Sequence, residues 1–398
     1  MKSKKRNLRY WIVKLHLWLG LGSGLVVFIV SITGCLFVFE KEINGLTYKN
    51  IFTVAPQTAK VPLSTMLQTA QNALGEKKKI YSVTAYKDKG RAWEFMTYKG
   101  NDTATTYFGA VEHYESVFIN PHTGAVTGRV NYKYNFFSIV KYIHWSLLLN
   151  TKYGQPVVGY STLIFVVLLF TGLVLWWPKK WNRASREKSF SIKWKASFKR
   201  VNYDLHNVPG FYILLPALVI ALTGLVFAFG WFSAVVYAAG AGTFKQPVQQ
   251  VLTSVQAANT TANNALDIAY ANAVYRLPEA ARFNITPASG ADGVIHIYGY
   301  SGNETYYNFN HLQYNQYTGV LLGQRKPQER NGGEKLMDMN YDIHIGAIAG
   351  LPGKIIAFIT SGICATLPLT GFLIWWGRRH GKTMPKQSRS IHKQVAVE

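Results

Sequence analysis

The chain is short of charge, shorter of acids, and nearly without cysteine. Charged residues make up 16% of it, well under the roughly 25% of soluble domains, which argues against an ordinary water-soluble globule. The two cysteines, Cys35 and Cys364, both lie in apolar runs. That leaves no disulfide framework, no CxxC redox pair and no CxxCH attachment site. A phosphate loop, an HExxH zinc motif and a flavin or nicotinamide domain are also missing. Gly20-x-Gly22-x-Gly24 sits inside an apolar run with no strand before it, so it is not a dinucleotide fingerprint. Carboxylates are absent from the apolar runs, which removes the usual lining of a cation path.

Hydrophobic residues, by contrast, reach 48%, with 11 Trp, 24 Tyr and 22 Phe, a composition suited to membrane spans with interfacial aromatic belts. Four uncharged stretches are long enough to cross roughly 30 Å of hydrocarbon: Leu15 to Phe39, Gly154 to Trp177, about Pro209 to Gly230, and Ile355 to Trp376. The net charge of +24 is concentrated beside them. Residues 1–14, 178–204 and 377–398 hold 21 Lys/Arg and 3 acids, leaving a net of only +6 for everything else. Short basic segments flanking apolar runs are the positive-inside pattern and need no nucleic acid.

The expected organisation is therefore an α-helical integral membrane protein of the bacterial inner (cytoplasmic) membrane, with both termini cytoplasmic and both long loops periplasmic. Residues 1–14 form a basic cytoplasmic N-terminus, 15–39 the first transmembrane helix and 40–141 the first periplasmic domain. Residues 142–177 form an interfacial histidine segment and the second span, and 178–204 a basic cytoplasmic loop. The third span is 205–230, the second periplasmic domain 231–341, a histidine segment and the fourth span 342–376, and a basic tail 377–398. A basic start followed by an apolar run also resembles a signal peptide, and Ile32-Thr33-Gly34-Cys35 a lipoprotein box. The same Thr-Gly recurs in the other spans, however, so it is expected to be a packing element.

That recurrence is an internal repeat. Thr33-Gly34 in the first span answers Thr223-Gly224 in the third, each followed by an aromatic-rich run. Thr171-Gly172 in the second answers Thr370-Gly371 in the fourth, each leading to a Trp-Trp pair and then basic residues. The order implies a tandem duplication about an axis along the membrane normal. The long loops repeat as well: strand, turn at Thr-Gly (Thr123-Gly124, Thr318-Gly319), strand. With short amphipathic helices expected at Leu63–Leu74 and Ser254–Ala273, each loop reads as a small α+β domain.

Four of the ten histidines hold repeated places: His16, His144, His206 and His344, each after Leu or Ile at the edge of a span. His16 precedes Gly34 and His206 precedes Gly224 by 18 residues, while His144 precedes Gly172 by 28 and His344 precedes Gly371 by 27. The repeat thus predicts His16 facing His206 near the cytoplasmic surface and His144 facing His344 near the outer one. Ionisable residues at the membrane are costly and default to function. Paired imidazoles from facing helices form a bis-histidine haem site, here non-covalent, and neighbouring glycines would admit a flat macrocycle. Asp204 and Asp342, each two residues before its histidine, are candidates for orienting it or meeting a haem edge. Metal transport and a purely structural role stand as the alternatives. His113, His122, His296 and His311 fall in the loops, and His380 and His392 in the basic tail, where solvation is expected.

Taken together these residues resemble the PepSY-associated transmembrane family of iron-regulated membrane proteins. The resemblance rests on Lys14-Leu15-His16-Leu17-Trp18-Leu19-Gly20, Ile143-His144-Trp145-Ser146-Leu147-Leu148, Leu205-His206-Asn207-Val208-Pro209-Gly210, and Ile343-His344 followed by Gly350-Leu351-Pro352-Gly353-Lys354. It covers nearly the whole chain and implies two PepSY-like external domains. Some members look like ferric-siderophore reductases that carry electrons across the inner membrane on two b-type haems. The resemblance implies the same here: an electron-transfer oxidoreductase of iron uptake, with His16 and His206 on the inner haem iron and His144 and His344 on the outer one. Its partners would be the lipid bilayer, a ferric siderophore or other ferric chelate, and an external electron donor (a cytoplasmic reductase or a quinol). Trp18, Phe28 and Phe211 are expected along the path between the haems. The rival is a non-enzymatic membrane protein whose external domains bind peptides, proteases or envelope partners.

Overall fold

The computed structural model describes residues 7–248, 251–256, 264–302 and 305–380. Three helices are long and apolar enough to cross a bilayer, α1 (Leu8–Phe37), α7 (Thr151–Trp176) and α14 (Gly350–His380), so the chain is a membrane protein. Asn7 caps the first of them, its side chain accepting from the Tyr10 N–H at 3.1 Å, and no charge interrupts α1 beyond Lys14. The expected third span is broken rather than continuous. Helix α9 (Phe198–Tyr212) meets α10 (Leu214–Ala228) at a bend of 68°. Pro216 has no N–H to give the Tyr212 carbonyl, so the helical ladder is interrupted where the bend falls. At about 1.5 Å per residue, α10 alone is too short to cross the hydrocarbon, and only the two together have the length and apolar composition of a fourth candidate span. The short helices α2 (Glu40–Thr47), α3 (Lys49–Phe52), α5 (Tyr107–Ala110), α8 (Arg183–Phe190) and α11 (Gly230–Ala241) complete the connections.

The two long loops do not fold as separate domains. Strands β1 (Ser82–Tyr86), β2 (Trp93–Gly100), β3 (Val111–Ile119) and β4 (Val126–Asn131) come from the first. Strands β5 (Arg282–Thr286), β6 (Val294–Tyr300), β7 (Phe309–Asn315) and β8 (Leu321–Arg325) come from the second. They form one antiparallel eight-stranded sheet, β4-β3-β2-β1-β5-β6-β7-β8, joined where Val83 faces Ile285. Pairing β1 with β5 removes an exposed edge from each half. Helices α4 (Leu63–Leu74) and α12 (Ala265–Arg276) cover one face over a shared core that includes Met66, Phe95, Ala269, Ile285, Ile297 and Leu312. The expected helix at Leu63–Leu74 is α4 to the residue. Of the one expected at Ser254–Ala273, the helical part starts at Ala265, and residues 257–263 lie outside the described residues. Both Thr-Gly turns are present, with Gly124 at φ 74° and Gly319 at φ 70°, the left-handed region that glycine enters without cost.

Two further helices run from the sheet to the spans: α6 (Phe136–Ser146) and α13 (Gly332–His344), capped by Asn135 and Asn331. Each turns back sharply on the helix that follows. Leu147 and Leu148, both at positive φ, close α6, and a Cβ on Gly154 would stand 1.9 Å from the Ser146 carbonyl oxygen. After α13, a Cβ on Gly353 would stand 2.1 Å from the Gly346 carbonyl oxygen. Glycine at these two positions is what lets a histidine-bearing helix lie against a span.

Candidate functional site

His16 lies on α1, His206 on α9, His144 on α6 and His344 at the end of α13. The His16 and His206 ring centres are 6.4 Å apart, and those of His144 and His344 6.1 Å. His16 and Gly34, the residue that meets His144, are eighteen positions apart on α1, so the two pairs are separated by about 27 Å along it.

Each imidazole rests on a Thr-Gly pair of another helix. His16 Nδ1 is 2.9 Å from Thr171 Oγ1, His206 Nδ1 2.9 Å from Thr370 Oγ1, and His344 Nδ1 2.9 Å from Thr223 Oγ1. His144 Nδ1 is 2.9 Å from the Val30 carbonyl and 3.4 Å from Thr33 Oγ1. The adjacent glycine receives the ring edge: a Cβ on Gly172, Gly371, Gly224 or Gly34 would lie 3.4, 3.2, 3.4 or 3.0 Å from the Cε1 of His16, His206, His344 or His144. Thr-Gly is thus an imidazole seat as well as a packing element.

The seat also decides which ring nitrogen carries the proton. Each threonine hydroxyl already donates to a carbonyl one turn earlier, Thr171 to Val167 (2.8 Å), Thr370 to Thr366 (2.9 Å), Thr223 to Val219 (2.8 Å) and Thr33 to Ile29 (2.6 Å). Its oxygen can then only accept, so Nδ1–H donates to it. For His144 and His344 the Val30 and Ile220 carbonyls, at 2.9 and 3.1 Å, demand the same tautomer. All four histidines therefore keep the Nε2 lone pair free, the arrangement of a metal-ligating imidazole whose other nitrogen is fixed by a hydrogen bond.

Asp204 and Asp342 each use one carboxylate oxygen to hold neighbouring segments, while the Oδ1 of each is buried without a hydrogen-bond partner. Asp204 Oδ2 accepts from Arg200 Nε at 2.8 Å and the Lys193 N–H at 3.2 Å, and Asp342 Oδ2 from the Tyr306 and Tyr307 N–H groups at 2.8 and 2.9 Å. They fasten the preceding loops to the histidine helices. Asn202 and Asn340, four residues before their histidines, belong to the site although the histidine spacing does not single them out. Their amides donate to the Thr370 and Thr223 carbonyls at 3.1 and 3.2 Å, clamping helix to seat. Asn-Tyr-Asp-(Leu/Ile)-His occurs at both 202–206 and 340–344, and that repeat was the signal for them. Trp18, expected along the path between the levels, is 61% exposed on the outside of the bundle. Phe211 stacks on Trp176 at 3.7 Å beside the His16–His206 pair, and Phe227 lies 5.7 Å from His344.

Of the loop histidines, His122 binds the Ala59 and Lys89 carbonyls at 2.7 and 2.8 Å and ties loops together, and His113 meets Thr97 at 3.1 Å. His296 Nδ1 and His311 Nε2 are 2.9 Å apart on the sheet, with Tyr298 stacked on His311 at 4.4 Å. His380 stacks on Trp376 at 4.2 Å, and His392 lies outside the described residues.

The donor set fits an iron macrocycle. Two imidazoles on opposite sides of one iron, at about 2.0 Å each as is usual for metal–imidazole bonds, place their ring centres roughly 6 Å apart. Among the described residues no group of three or more His, Cys, Asp or Glu could hold a bare ion. Two nitrogens per level suit a metal whose remaining positions are filled by a macrocycle. Around His16 and His206 a cavity of about 380 Å³ runs between α1, α7, α9, α10 and α14, walled by residues such as Gly20, Leu168, Gly210 and Leu367, within the usual size of a small-molecule site.

No curated protein matches this sequence. A family model described as the PepSY-associated TM region matches residues 13–378, from before the first histidine to the end of the last span. The chain belongs to that family.

Proposed function

We propose that this protein is a dihaem b-type transmembrane electron-transfer protein of the inner membrane, reducing ferric iron at the periplasmic face during iron uptake. The observation that carries the reading is the fourfold seat. Four imidazoles in two facing pairs are each held as the Nδ1–H tautomer, leaving Nε2 free to ligate. A bound haem supplies reversible one-electron chemistry at each level. The chain's own part is to fix the imidazoles by Thr33, Thr171, Thr223 and Thr370, to exclude water with apolar helix faces, and to hold the two levels apart across the membrane. The extracytoplasmic sheet stands at the His144–His344 end, where Asp342 ties the loop containing Tyr306 to the helix carrying His344. A ferric siderophore is the acceptor that suits this end, because hard oxygen ligands release Fe(II) more readily than Fe(III). The donor, a cytoplasmic reductase or a quinol, works at the other end.

The test is the absorption spectrum of detergent-purified protein, oxidised and dithionite-reduced, with haem-to-protein stoichiometry. Sharp low-spin b-type bands near two haems per chain are expected, with one lost in His144→Ala and the other in His16→Ala. Colourless protein from cells able to supply haem would overturn the proposal and favour the non-enzymatic binding module.

A further inference from the structure

The cavity around His16 and His206 has a polarity that its ligand must match. Its wall is mainly apolar, with Ser23, Tyr203 and Asn207 as uncharged polar side chains, and the permanent charges on it are Arg9 and Arg378, with no carboxylate among the lining residues. Arg9 is seven residues before His16 on α1, and Arg378 seven after Gly371, the seat of His206, on α14. Seven residues is close to two helical turns, so each arginine shares a face with its imidazole level. Each stands about 10 Å from that level along the axis. Both displacements run toward the basic end of the bundle, so the two guanidinium groups come to a similar height on different walls of the cavity. Arg9 Nη2 donates to the Leu175 carbonyl at 2.8 Å, which leaves four of its five N–H donors for other partners. Arg378 is exposed at the mouth.

Positive-inside charge alone explains why arginine is found near this depth. It does not explain why two arginines line the cavity itself, at matched offsets from the two imidazole positions, with no acid beside them among the described lining residues. Guanidinium forks match carboxylates bidentately. A planar ligand with an apolar body and two acid arms on one edge satisfies the whole wall: nitrogens above and below its centre, hydrocarbon around its rim and a cation for each arm.

We propose that Arg9 and Arg378 are the carboxylate anchors of the inner site, and that they fix the acid edge of its macrocycle toward the basic end of the bundle. This rests on the proposed haem ligation by His16 and His206. A macrocycle held by both arginines would present its carboxylate edge to the basic end of the bundle, the end at which the proposed electron donor works.

The test compares protohaem with its dimethyl ester, which keeps the iron and the apolar body but has no carboxylates. Haem-depleted full-length protein is titrated with each in detergent, and the low-spin band of the inner level is followed in a His144→Ala background. The wild-type arginines should prefer the diacid by about tenfold or more, the scale of charged hydrogen bonds. Arg9→Gln and Arg378→Gln should each reduce that preference, the double variant should abolish it, and Arg378→Lys should restore part of it. The midpoint potential of the inner haem should fall in the glutamine variants as cations are withdrawn, while the outer haem, measured with His144 intact, stays unchanged and reports a folded bundle. An unaltered preference for the diacid in the double variant would overturn the anchoring. Absence of haem binding by the wild-type chain would instead sink the ligation on which it rests.

Discussion

His16 Nδ1 is held by Thr171 Oγ1 at 2.9 Å, whereas His144 Nδ1 has the Val30 carbonyl at 2.9 Å and Thr33 only as a longer contact at 3.4 Å. The four seats look alike in sequence and differ in how far each depends on its hydroxyl. Thr171→Val keeps the shape and removes the acceptor, so His16 should lose its fixed tautomer, with haem retention at the inner level falling about tenfold or more, as for other outer-shell partners of metal ligands. Thr33→Val should change the outer level much less. Thr171→Ser should behave as wild type, and equal losses for the two valine variants would refute the distinction. At this scale much was legible in the sequence: four histidines in register with four Thr-Gly pairs. The cross-pairing was not. His16 is on the same helix as Gly34 but rests on Gly172, because a side chain cannot reach a seat eighteen residues along its own helix. Spacing within a span reports depth, and which neighbour supplies the seat is decided by helix packing.

Helices α6 and α13 carry His144 and His344, and their position depends on two backbone contacts. Ser146 faces Gly154 and Gly346 faces Gly353 so closely that any Cβ would overlap a carbonyl oxygen. Gly154→Ala or Gly353→Ala must push the histidine helix off its span, at the cost of an overpacked core, about 1–3 kcal/mol or more. The expected result is early loss of the outer haem band on heating, with the inner band retained, while Gly22→Ala, whose Cβ would meet nothing within 4 Å, leaves both unchanged. Simultaneous loss of both bands would mean that the contact supports the whole bundle rather than one level. The histidines mark both helices as interfacial segments, but the sequence hides the hairpin between α6 and α7. Leu147 and Leu148 adopt left-handed backbone, a conformation leucine seldom takes, so no turn residue announced it. The break between α9 and α10 was hidden for a related reason. Apolar composition continues through Ile213, and proline in a membrane helix is compatible with a straight span as well as a bent one.

Across the whole molecule, the two long loops read as independent domains because each contains its own helix and four strands. Their union depends on β1 meeting β5, a pairing between segments some two hundred residues apart that local pattern does not encode. One sheet with one core should unfold as one unit, and acid should act on it through the second half. His311 is pushed down to about 4, first by burial and then by His296, Arg330 and Arg325 beside it. An unfolded histidine titrates near 6.5, so between those values the unfolded chain binds the extra proton and the folded one does not. Stability from neutral His311 is therefore complete above about pH 6.5, falls as the pH drops toward 4, and levels off below. Thermal unfolding of the purified protein, followed by near-ultraviolet circular dichroism from pH 7 to pH 4, should show a shallower decline in His311→Gln than in wild type. Because β5 is seated on β1, signals from Trp93 on β2 should be lost in the same transition as those of the β6–β7 tyrosines. Two separated transitions, only one of them sensitive to His311, would show that the halves unfold independently in spite of their shared sheet.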